Sequence, residues 1–533
     1  MSKATVPWMS ISANPSASST PSANRGLIAS ILVLTIALAL ACSYATPMEH
    51  DELCSLYVDS QPTVADVVRV QLTKPIGLEP PVYHILSHFA MDLFGKNSFA
   101  LRLPALTGFI LMDVCLYFLI LPLSTKRAAL IAMLIPIATG AFPMAFWGRP
   151  YGLLLGLYAA SLLCWQAAIK GSERQRILPL LGLSLCIVLA INSHYFGVFV
   201  LIPLCVGEFI RYLKTRTPDL KMACSILLGG SSLLLVLPFV STTKIYQGKV
   251  YGASGIRLNE IAETYRTLLL PGVHMLHSTA AHILFSVIVV IALFFVLRLS
   301  FQNLRFRFAE PPWHEWAAFI SCAALPVFGA AFGVLVTHTY QGRYVIGCFV
   351  GVVALLALAI ERGLRSNSAF YGALAAIVLF SVVYNAYSAN DAYQWKLRVQ
   401  STQESPEVRQ FLDTNPDAQI YIQAGGPFLQ DTYYCTDRSL VTRFHLLYGQ
   451  AEELHWKHIL SQSIEAVKLT QISQLHAMSY DQFRALPNGQ AVLIYKDEWQ
   501  WIEDELQSDG AKVVPIGALL GGEVYVVTFH EVQ

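Results

Sequence analysis

The sequence predicts a mainly α-helical membrane protein, a polytopic bundle of about eleven transmembrane helices followed by a small soluble α/β domain. Hydrophobic residues make up 55% of the 533 residues, charged residues make up only 13%, and the mean hydropathy is +0.50. A soluble domain of this size does not need so much apolar surface to fill its core. Most of the chain is therefore expected to be surrounded by lipid.

The predicted spans are apolar runs of roughly the length that crosses a hydrocarbon core. They lie at 27–45, 99–121, 128–146, 151–169, 177–193, 195–210, 222–240, 281–297, 316–336, 344–360 and 369–387. Residues 1–26 are rich in Ser, Ala, Pro and Asn, a composition typical of a disordered extension. The chain is thus divided into this cytoplasmic extension, a transmembrane domain at 27–390 and a third domain at 391–533.

The charges between the spans predict the orientation in the membrane. Lys and Arg concentrate in alternate connections, at 126–127, 170–176, 211–221, 298–307 and 362–365. If these connections are cytoplasmic, the N-terminus is cytoplasmic too, and residues 46–98 and the C-terminal domain face the other way. We therefore expect a multi-pass cell-membrane protein whose 46–98 segment is extracytoplasmic.

Two short helices are predicted within this 46–98 segment. The first begins near Ser60-Gln61-Pro62, and the second runs from Pro80-Pro81 to Gly95 with an apolar stripe along one face. Both are expected to lie flat on the membrane and to cover the ends of the spanning helices.

The chain becomes more polar after about residue 390, and no further span follows. Helical patterns near 405–413 and 497–507 alternate with strand-like runs at 420–422, 492–495, 513–514 and 524–527. A small α/β sandwich is predicted. The net charge of +1 gives no reason to expect nucleic acid as a partner. Cys54 and Cys435 fall outside the spans, but no dense cysteine framework surrounds them and a disulfide between them is not expected.

Asp51 and Glu52 are the first candidates for chemistry, because two adjacent carboxylates follow the first span directly. Acids at such a position are often only solvated. Here, however, polar groups from distant spans gather on the same face, including Arg149 and Arg343. An interfacial arginine often only extends towards the headgroups, but the positive-inside bias does not call for arginine on this face. A guanidinium there suits a phosphate group.

A metal site is not predicted, and no cofactor is required. His84 and His88 have the i, i+4 spacing of shared metal ligands, with Glu79 or Asp92 nearby. They also fall on the polar face of an amphipathic helix, which is the more ordinary explanation. A divalent metal is left open.

Short pieces of this sequence, taken in order over residues 27–390, resemble the C-type membrane glycosyltransferases that use polyprenyl-phosphate-linked sugars. This superfamily includes the protein O-mannosyltransferases and the lipid A aminoarabinose transferases. The pieces are Asp51-Glu52, Glu79-Pro80-Pro81-Val82-Tyr83, Phe94-Gly95, Leu101-Arg102-Leu103-Pro104, Arg149-Pro150-Tyr151, His194-Tyr195-Phe196-Gly197 and Arg343-Tyr344. Relatives often have His before the Pro pair, where this chain has Glu79.

The resemblance implies that Asp51 is the general base or an acid that positions the acceptor, and that Glu52 orients the acceptor. It also implies a lipid-phosphate sugar donor, whose departing phosphate Arg343 and Arg149 would stabilise. Further residues are expected to line the substrate cavity, namely Glu79, His84, Arg102, Tyr151, His194, Tyr195 and Tyr344. The acceptor is a hydroxyl of a glycan, lipid or protein, and the expected displacement inverts the anomeric carbon.

Two other classes of function remain open from the residues alone. A transporter or flippase of lipid-linked saccharides would also use many spans and an intramembrane acid such as Asp113. A non-catalytic envelope assembly protein would carry the same acids as ordinary surface. The clustering of polar groups on one face favours the transferase.

Overall fold

The computed structural model describes residues 21–529 apart from 75, 78, 244–257, 272–311, 339, 365, 401–403, 459, 461–462, 488 and 496–499. The predicted disordered residues 1–20 and the predicted span at 281–297 lie outside this described part. The first helix already begins at Pro21, inside the segment predicted to be disordered.

The membrane part is helical. Its α-helices are α1 (Pro21–Ala45), α2 (His50–Asp59), α3 (Val64–Thr73), α4 (Val82–Phe94), α5 (Ser98–Ile120), α6 (Lys126–Leu134), α7 (Tyr151–Lys170), α8 (Ile177–Ser193), α9 (Leu201–Thr215), α10 (Leu220–Ser231), α11 (Leu233–Thr243), α12 (Leu258–Leu269), α13 (Trp313–Ala323), α14 (Leu325–Phe332), α15 (Cys348–Gly363) and α16 (Asn367–Gln400). Short 3-10 turns lie at Pro136–Ala138, Phe142–Ala145, Tyr195–Val200 and Gly342–Val345, and a π-helical turn lies at Gly333–Thr337.

Fewer full spans are described than the eleven predicted. Six helical stretches are long and apolar enough to cross a bilayer, namely Arg25–Ala45, Ser98–Ile120, Tyr151–Lys170, Tyr195–Thr215, Leu220–Thr242 and Asn367–Gln400. The number is seven if Trp313–Ala323 and Leu325–Thr337, which are bent by 52°, form one broken span. Ile177–Ser193 and Cys348–Glu361 are apolar but shorter. All these counts concern the described residues only.

The predicted span at 128–146 is wrong in detail. The helix α6 ends at Leu134, and two 3-10 turns replace the rest of the run. Pro136 and Pro143 each begin or nearly begin one of these turns, because proline has no N–H to continue an α-helix. The chain thereby folds back towards the end of the bundle where the 46–98 segment lies.

Helices α5 and α7 meet backbone to backbone through glycines. A methyl group on Gly108 would lie 2.2 Å from the Cα of Leu153, and one on Gly156 would lie 2.2 Å from the carbonyl oxygen of Gly108. Small residues allow such close approach, which is a main source of helix association in lipid. Near the start of α5, Arg102 shares the Glu52 carboxylate with the N–H of Gly148, in the turn before α7.

The two predicted helices of the 46–98 segment are confirmed as α3 and α4. Thr63 caps α3 by accepting a hydrogen bond of 3.2 Å from the Asp66 N–H, and Gly95 ends α4 with φ of +85°. The additional helix α2 was not predicted, because its ten residues alternate polar and apolar types without a long stripe. It carries both Asp51 and Glu52.

The C-terminal part is α/β, as predicted. Its helices are α17 (Pro406–Thr414), α18 (Gly425–Tyr434), α19 (Arg438–Val441), α20 (Gln450–Lys457), α21 (Ser463–Thr470), α22 (Tyr480–Arg484) and α23 (Ile502–Ser508). Its strands are β1 (Ile420–Ile422), β2 (Phe444–Tyr448), β3 (Ala477–Ser479), β4 (Gln490–Ile494), β5 (Lys512–Leu519) and β6 (Gly522–Thr528). They form one sheet in the order β3-β2-β1-β4-β6-β5.

The sheet is mixed. Strand β1 pairs in parallel with β2 and β4, and β2 pairs in parallel with β3, whereas β6 is antiparallel to β4 and β5. The short strands β2 and β3 were not predicted. The predicted domain boundary at residue 390 falls inside the continuous helix α16, so the division at that point stays a prediction.

The C-terminal part packs directly on the 46–98 segment. The Met48 N–H donates a hydrogen bond of 2.6 Å to the Tyr434 hydroxyl, and the Gln430 amide donates one of 3.1 Å to the Met48 carbonyl. Buried residues of α2 and α18, including Leu53 and Phe428, share one hydrophobic core. Cys54 and Cys435 form no disulfide, and both are buried.

We predict that Gly108→Ala destabilises the protein by about 1–3 kcal/mol, because the added methyl cannot fit between α5 and α7. Gly372→Ala on α16 is the matched control, since no atom lies within 4 Å of its added methyl. Thermal unfolding of the detergent-purified variants measures the difference. Equal midpoints for both variants would contradict the packing described.

Candidate active site

The site is built around the first turn of α2. Glu49 is the N-cap residue; its side chain accepts a hydrogen bond from the N–H of Glu52, and the Glu52 carboxylate accepts one of 3.2 Å from the Glu49 N–H. Asp51 lies between them in the same turn, where the helix dipole favours negative charge. The two predicted acids are therefore held on a capped helix rather than in a loop.

Glu52 is completely buried and forms a bidentate pair with Arg102. The Arg102 Nε lies 2.7 Å from the Glu52 Oε1, and its Nη2 lies 2.8 Å from the Oε2. The Gly148 N–H also donates to Oε1 at 2.7 Å. The Arg102 Nη1 group also donates to backbone carbonyls at the end of α1 and just beyond it, with distances of 2.6 Å to Ser43 and 3.0 Å to Thr46.

The Glu52 carboxylate is paired with protein groups and is almost wholly removed from solvent, and the residue forms part of the cavity lining described below. The turn before α7 must approach it closely. A methyl on Gly148 would lie 2.8 Å from the Glu52 Oε1, which leaves room for glycine alone.

Arg149 is also buried and paired. Its guanidinium forms a close ion pair with Glu79, and it donates hydrogen bonds to the backbone carbonyls of Asp51 at 3.4 Å and Gly77 at 3.3 Å. The Asp51 carboxylate lies 3.8 Å from the same guanidinium. Arg149 was predicted to bind the donor phosphate, but these partners already occupy it and only 5% of the residue is exposed.

Within the 46–98 segment, the charge network continues from Glu79 to His84 and Asp59. The His84 Nε2 lies 3.6 Å from the Glu79 carboxylate, and its Nδ1 lies 2.6 Å from the Asp59 carboxylate. Burial opposes protonation of His84, but the two carboxylates outweigh it and raise its pKa to about 9. His84 is therefore a buried cation that joins α4 to α2.

His84 and His88 do not point towards one metal ion. The His88 Nδ1 lies 2.9 Å from the Asp59 carbonyl oxygen, whereas its Nε2 faces Asp92 at 3.5 Å. Within the described part of the chain, neither histidine belongs to a group of side chains with metal-ligand spacing.

Asp51 is partly exposed, with 28% of its side chain accessible, and lies between the exposed Glu49 and the buried Glu52. Its Oδ2 lies 3.6 Å from the Arg343 guanidinium and 3.8 Å from that of Arg149. Burial alone would raise the pKa of the Asp51 carboxyl, but Arg149, His50 and Arg343 together lower it below its ordinary value. The carboxyl is thus ionised at neutral pH.

Aromatic rings flank the arginines. The His194 ring lies 5.5 Å from the Tyr151 ring and 5.8 Å from the Tyr344 ring, and Phe196 stacks on Tyr344 at 4.4 Å. Burial, Arg149 and Arg343 lower the pKa of His194 to about 3, so its imidazole is neutral. Tyr195 is the first residue of the 3-10 turn Tyr195–Val200, which follows His194, and it is half-buried.

A cavity of about 780 Å³ opens beside Arg343. Its charged lining includes Glu49, Glu52, Arg102, Arg343, Glu260 and Glu263, and its apolar lining includes Pro143, Met144, Phe146, Trp147, Leu268 and Ile346. Asp51 does not line the cavity, but its carboxylate contacts Arg343, which does. The lining does not include the other residues predicted to be near the substrate, namely Glu79, His84, Arg149, Tyr151, His194, Tyr195 and Tyr344.

Several cavity residues were not predicted. Glu49 lines the cavity, and burial, Glu52 and Asp51 raise its pKa. Glu260 and Glu263 come from α12, a helix between two segments outside the described part. The nearness of Glu49 to Asp51 in the sequence was an available signal, whereas nothing in the sequence near α12 pointed to this cavity.

Comparison with known proteins gives one family match and a shared fold. Residues 78–242 match the family model described as Dolichyl-phosphate-mannose-protein mannosyltransferase. ArnT from Cupriavidus metallidurans in the apo state aligns with a TM-score of 0.53 and 14% identity, over 93% of this chain and 98% of that chain. The same protein bound to undecaprenyl phosphate aligns with a TM-score of 0.58 and 11% identity, over 94% and 98%.

The chain shares the fold of these ArnT structures. The predicted resemblance is thereby confirmed, and among the three classes of function considered the matches favour the glycosyltransferase. No curated protein sequence matches the chain. Asp113, which a transporter would use, is fully buried in α5 and does not line the cavity.

We predict that Arg102→Met lowers the free energy of unfolding by about 3–5 kcal/mol, because it leaves the Glu52 carboxylate buried without its cation. Arg69→Met is the control; 69% of the Arg69 side chain is exposed, and its pair with Asp66 at 2.7 Å contributes about 0–1 kcal/mol. Thermal unfolding of both variants in detergent provides the measurement. Equal losses in the free energy of unfolding of the two variants would contradict the pairing of Arg102 with Glu52.

Proposed function

We propose that this protein transfers a hexosyl or pentosyl group from a polyprenyl-phosphate donor to an acceptor hydroxyl, with Asp51 as general base and Arg343 as the ligand of the donor phosphate. The observation that carries the proposal is the position of Asp51, an ionised and partly exposed carboxylate held between two guanidiniums. The neighbouring acids Glu52 and Glu79 are buried in ion pairs. They are not available to act as the base.

The cavity suits an amphiphilic phosphate. It combines the Arg343 guanidinium with an apolar wall that includes Phe146, Trp147 and Leu268. A polyprenyl chain would lie against such a wall while the guanidinium binds the phosphate oxygens. The fold neighbour bound to undecaprenyl phosphate supports this class of donor.

The chemistry is a single displacement at the anomeric carbon. The acceptor oxygen forms the new bond to that carbon as the bond to the phosphate oxygen breaks, and the configuration inverts. Asp51 takes the acceptor proton, and the electron pair leaves on the phosphate, where Arg343 stabilises the developing charge. Polyprenyl phosphate is the second product.

Arg343 couples donor binding to the base. Its guanidinium lies 3.6 Å from the Asp51 carboxylate, so the two groups form an ion pair. A phosphate dianion or diester would compete for the same guanidinium. Donor binding would thereby uncover Asp51 for the acceptor.

The reaction is assigned to the extracytoplasmic face. The Lys and Arg bias of the connections supports a cytoplasmic N-terminus and the opposite location for α2 and the C-terminal part. Nucleotide sugars are absent from that side, whereas a lipid carrier presents its sugar there. The acceptor is a glycan, a lipid or a protein hydroxyl.

We predict that Asp51→Asn lowers the rate of polyprenyl phosphate release from polyprenyl-phosphate sugars at least about 100-fold, since the general base is lost. Purified protein in liposomes is assayed against a panel of synthetic hexose and pentose donors with membrane extract as the acceptor source. Asp66→Asn on α3 is the control, because Asp66 is an acid in the first turn of a neighbouring helix. Glu49→Gln tests the carboxyl group of Glu49, which lines the cavity. Full activity of Asp51→Asn together with loss in Glu49→Gln would transfer the base role to Glu49.

We predict that Arg343→Gln moves the acid limb of the kcat/KM profile to higher pH by about one unit. The wild-type limb is expected below the ordinary carboxyl pKa, because the arginines lower the pKa of Asp51. Removal of one cation raises that pKa, so the base is protonated and inactive at a higher pH. Initial rates between pH 3.5 and 8, with Arg69→Gln as the control, measure the shift; a limb at the wild-type position would show that Arg343 does not act on the base.

A further inference from the structure

His50, Cys54 and Glu465 form a cluster on the side of α2 that faces the C-terminal part. His50 and Cys54 are one helical turn apart on α2, and Glu465 lies in the first turn of α21. His50 is 5% exposed, and Cys54 is completely buried. The cluster joins two parts of the chain that are far apart in sequence.

The distances within the cluster match those of zinc ligands. A tetrahedral zinc holds nitrogen and oxygen ligands about 3.3 Å apart and a sulfur ligand about 3.5 Å from either. The His50 Nε2 lies 3.2 Å from the Glu465 Oε2 and 3.5 Å from the Cys54 Sγ. The Cys54 Sγ lies 4.0 Å from the Glu465 Oε2, so the three atoms already surround a common point.

We propose that His50, Cys54 and Glu465 bind a zinc ion that fastens the C-terminal part to the helix carrying the proposed base. The ligand set of one thiolate, one imidazole and one carboxylate is typical of zinc, because it combines soft and hard donors. Three protein ligands leave the fourth position for water. The proposal does not rest on sugar transfer, because the site is separate from the cavity lining and its test uses metal binding.

The site would position Asp51 and not contact substrate. His50 is the residue next to Asp51, in the turn capped by Glu49. An ion bound to His50 would fix this turn from the side opposite to Glu52 and Arg102. The hydrogen bonds from Met48 to Tyr434 and from Gln430 to Met48 form the other part of the same attachment.

The test measures zinc in the full-length protein. Detergent-purified protein is stripped with a chelator, incubated with zinc, desalted and measured by mass spectrometry for metal content. Wild type is expected to retain about one zinc per chain. Cys54→Ser and Glu465→Gln, which conserve shape, are expected to bind zinc at least about tenfold more weakly.

Cys435→Ser is the matched control, because Cys435 is another buried cysteine of the same hydrophobic core. It is expected to retain zinc, as is Asp51→Asn. Cobalt gives a second readout: a thiolate-to-cobalt absorption band should appear in wild type and Cys435→Ser and be absent in Cys54→Ser.

Zinc should also raise the thermal unfolding midpoint of wild type relative to the chelated protein. This comparison needs no variant and remains informative if Cys54→Ser does not fold. Wild type that retains no zinc, or zinc retention that neither Cys54→Ser nor Glu465→Gln reduces, would overturn the proposal and leave the cluster as a set of hydrogen bonds. Loss of zinc in Asp51→Asn would also contradict the assigned ligands.

Discussion

The pairing of buried charges determines how the site is arranged. Glu52 and Glu79 are almost wholly removed from solvent, and an isolated carboxylate there would cost several kcal/mol. Each is compensated by one guanidinium, from Arg102 and Arg149 respectively. Because these arginines lie near the start of α5 and just before α7, the two pairs fix α2 and the chain before α4 against two helices that meet backbone to backbone. Asp51, unlike Glu52 and Glu79, keeps a partly accessible carboxylate.

This arrangement distinguishes a carboxylate that is fully paired within the protein from one that stays partly accessible. Three acids lie at positions 49, 51 and 52, yet the structure gives each a different environment. Glu52 is saturated by Arg102 and the Gly148 N–H, whereas Asp51 faces two cations and has an accessible edge. The aromatic wall formed by Tyr151, His194 and Tyr344 keeps this region apolar without adding charge, since His194 is neutral. The result is a carboxylate next to an arginine, the arrangement on which the proposed base and the proposed phosphate ligand depend.

Much of this site could be predicted from sequence, because charges on one end of many spans must share one membrane face. The convergence of Asp51, Arg149 and Arg343 follows from that constraint alone. The ion-pair partner of each group does not follow from it. The pairing of Arg149 with Glu79 depends on how the 46–98 segment folds over α7, and the burial of Glu52 depends on the approach of Gly148.

The errors in the predicted secondary structure have similar causes. The broken run at 128–146 was readable from Pro136, Gly140 and Pro143, which apolar length alone ignores. Helix α2 was missed because its stabilisation comes from the Glu49 capping box and from packing on the C-terminal part. The strands β2 and β3 are short and were too weak as local signals, although each is stabilised by parallel pairing within the sheet.

The most direct test of the central claim is a structure of the protein in lipid nanodiscs with bound polyprenyl phosphate. We predict that the phosphate contacts the Arg343 guanidinium, that the prenyl chain lies along Phe146, Trp147 and Leu268, and that Asp51 is separated from Arg343 and open to the cavity. A phosphate bound elsewhere, with the contact between Asp51 and Arg343 still intact, would contradict the account.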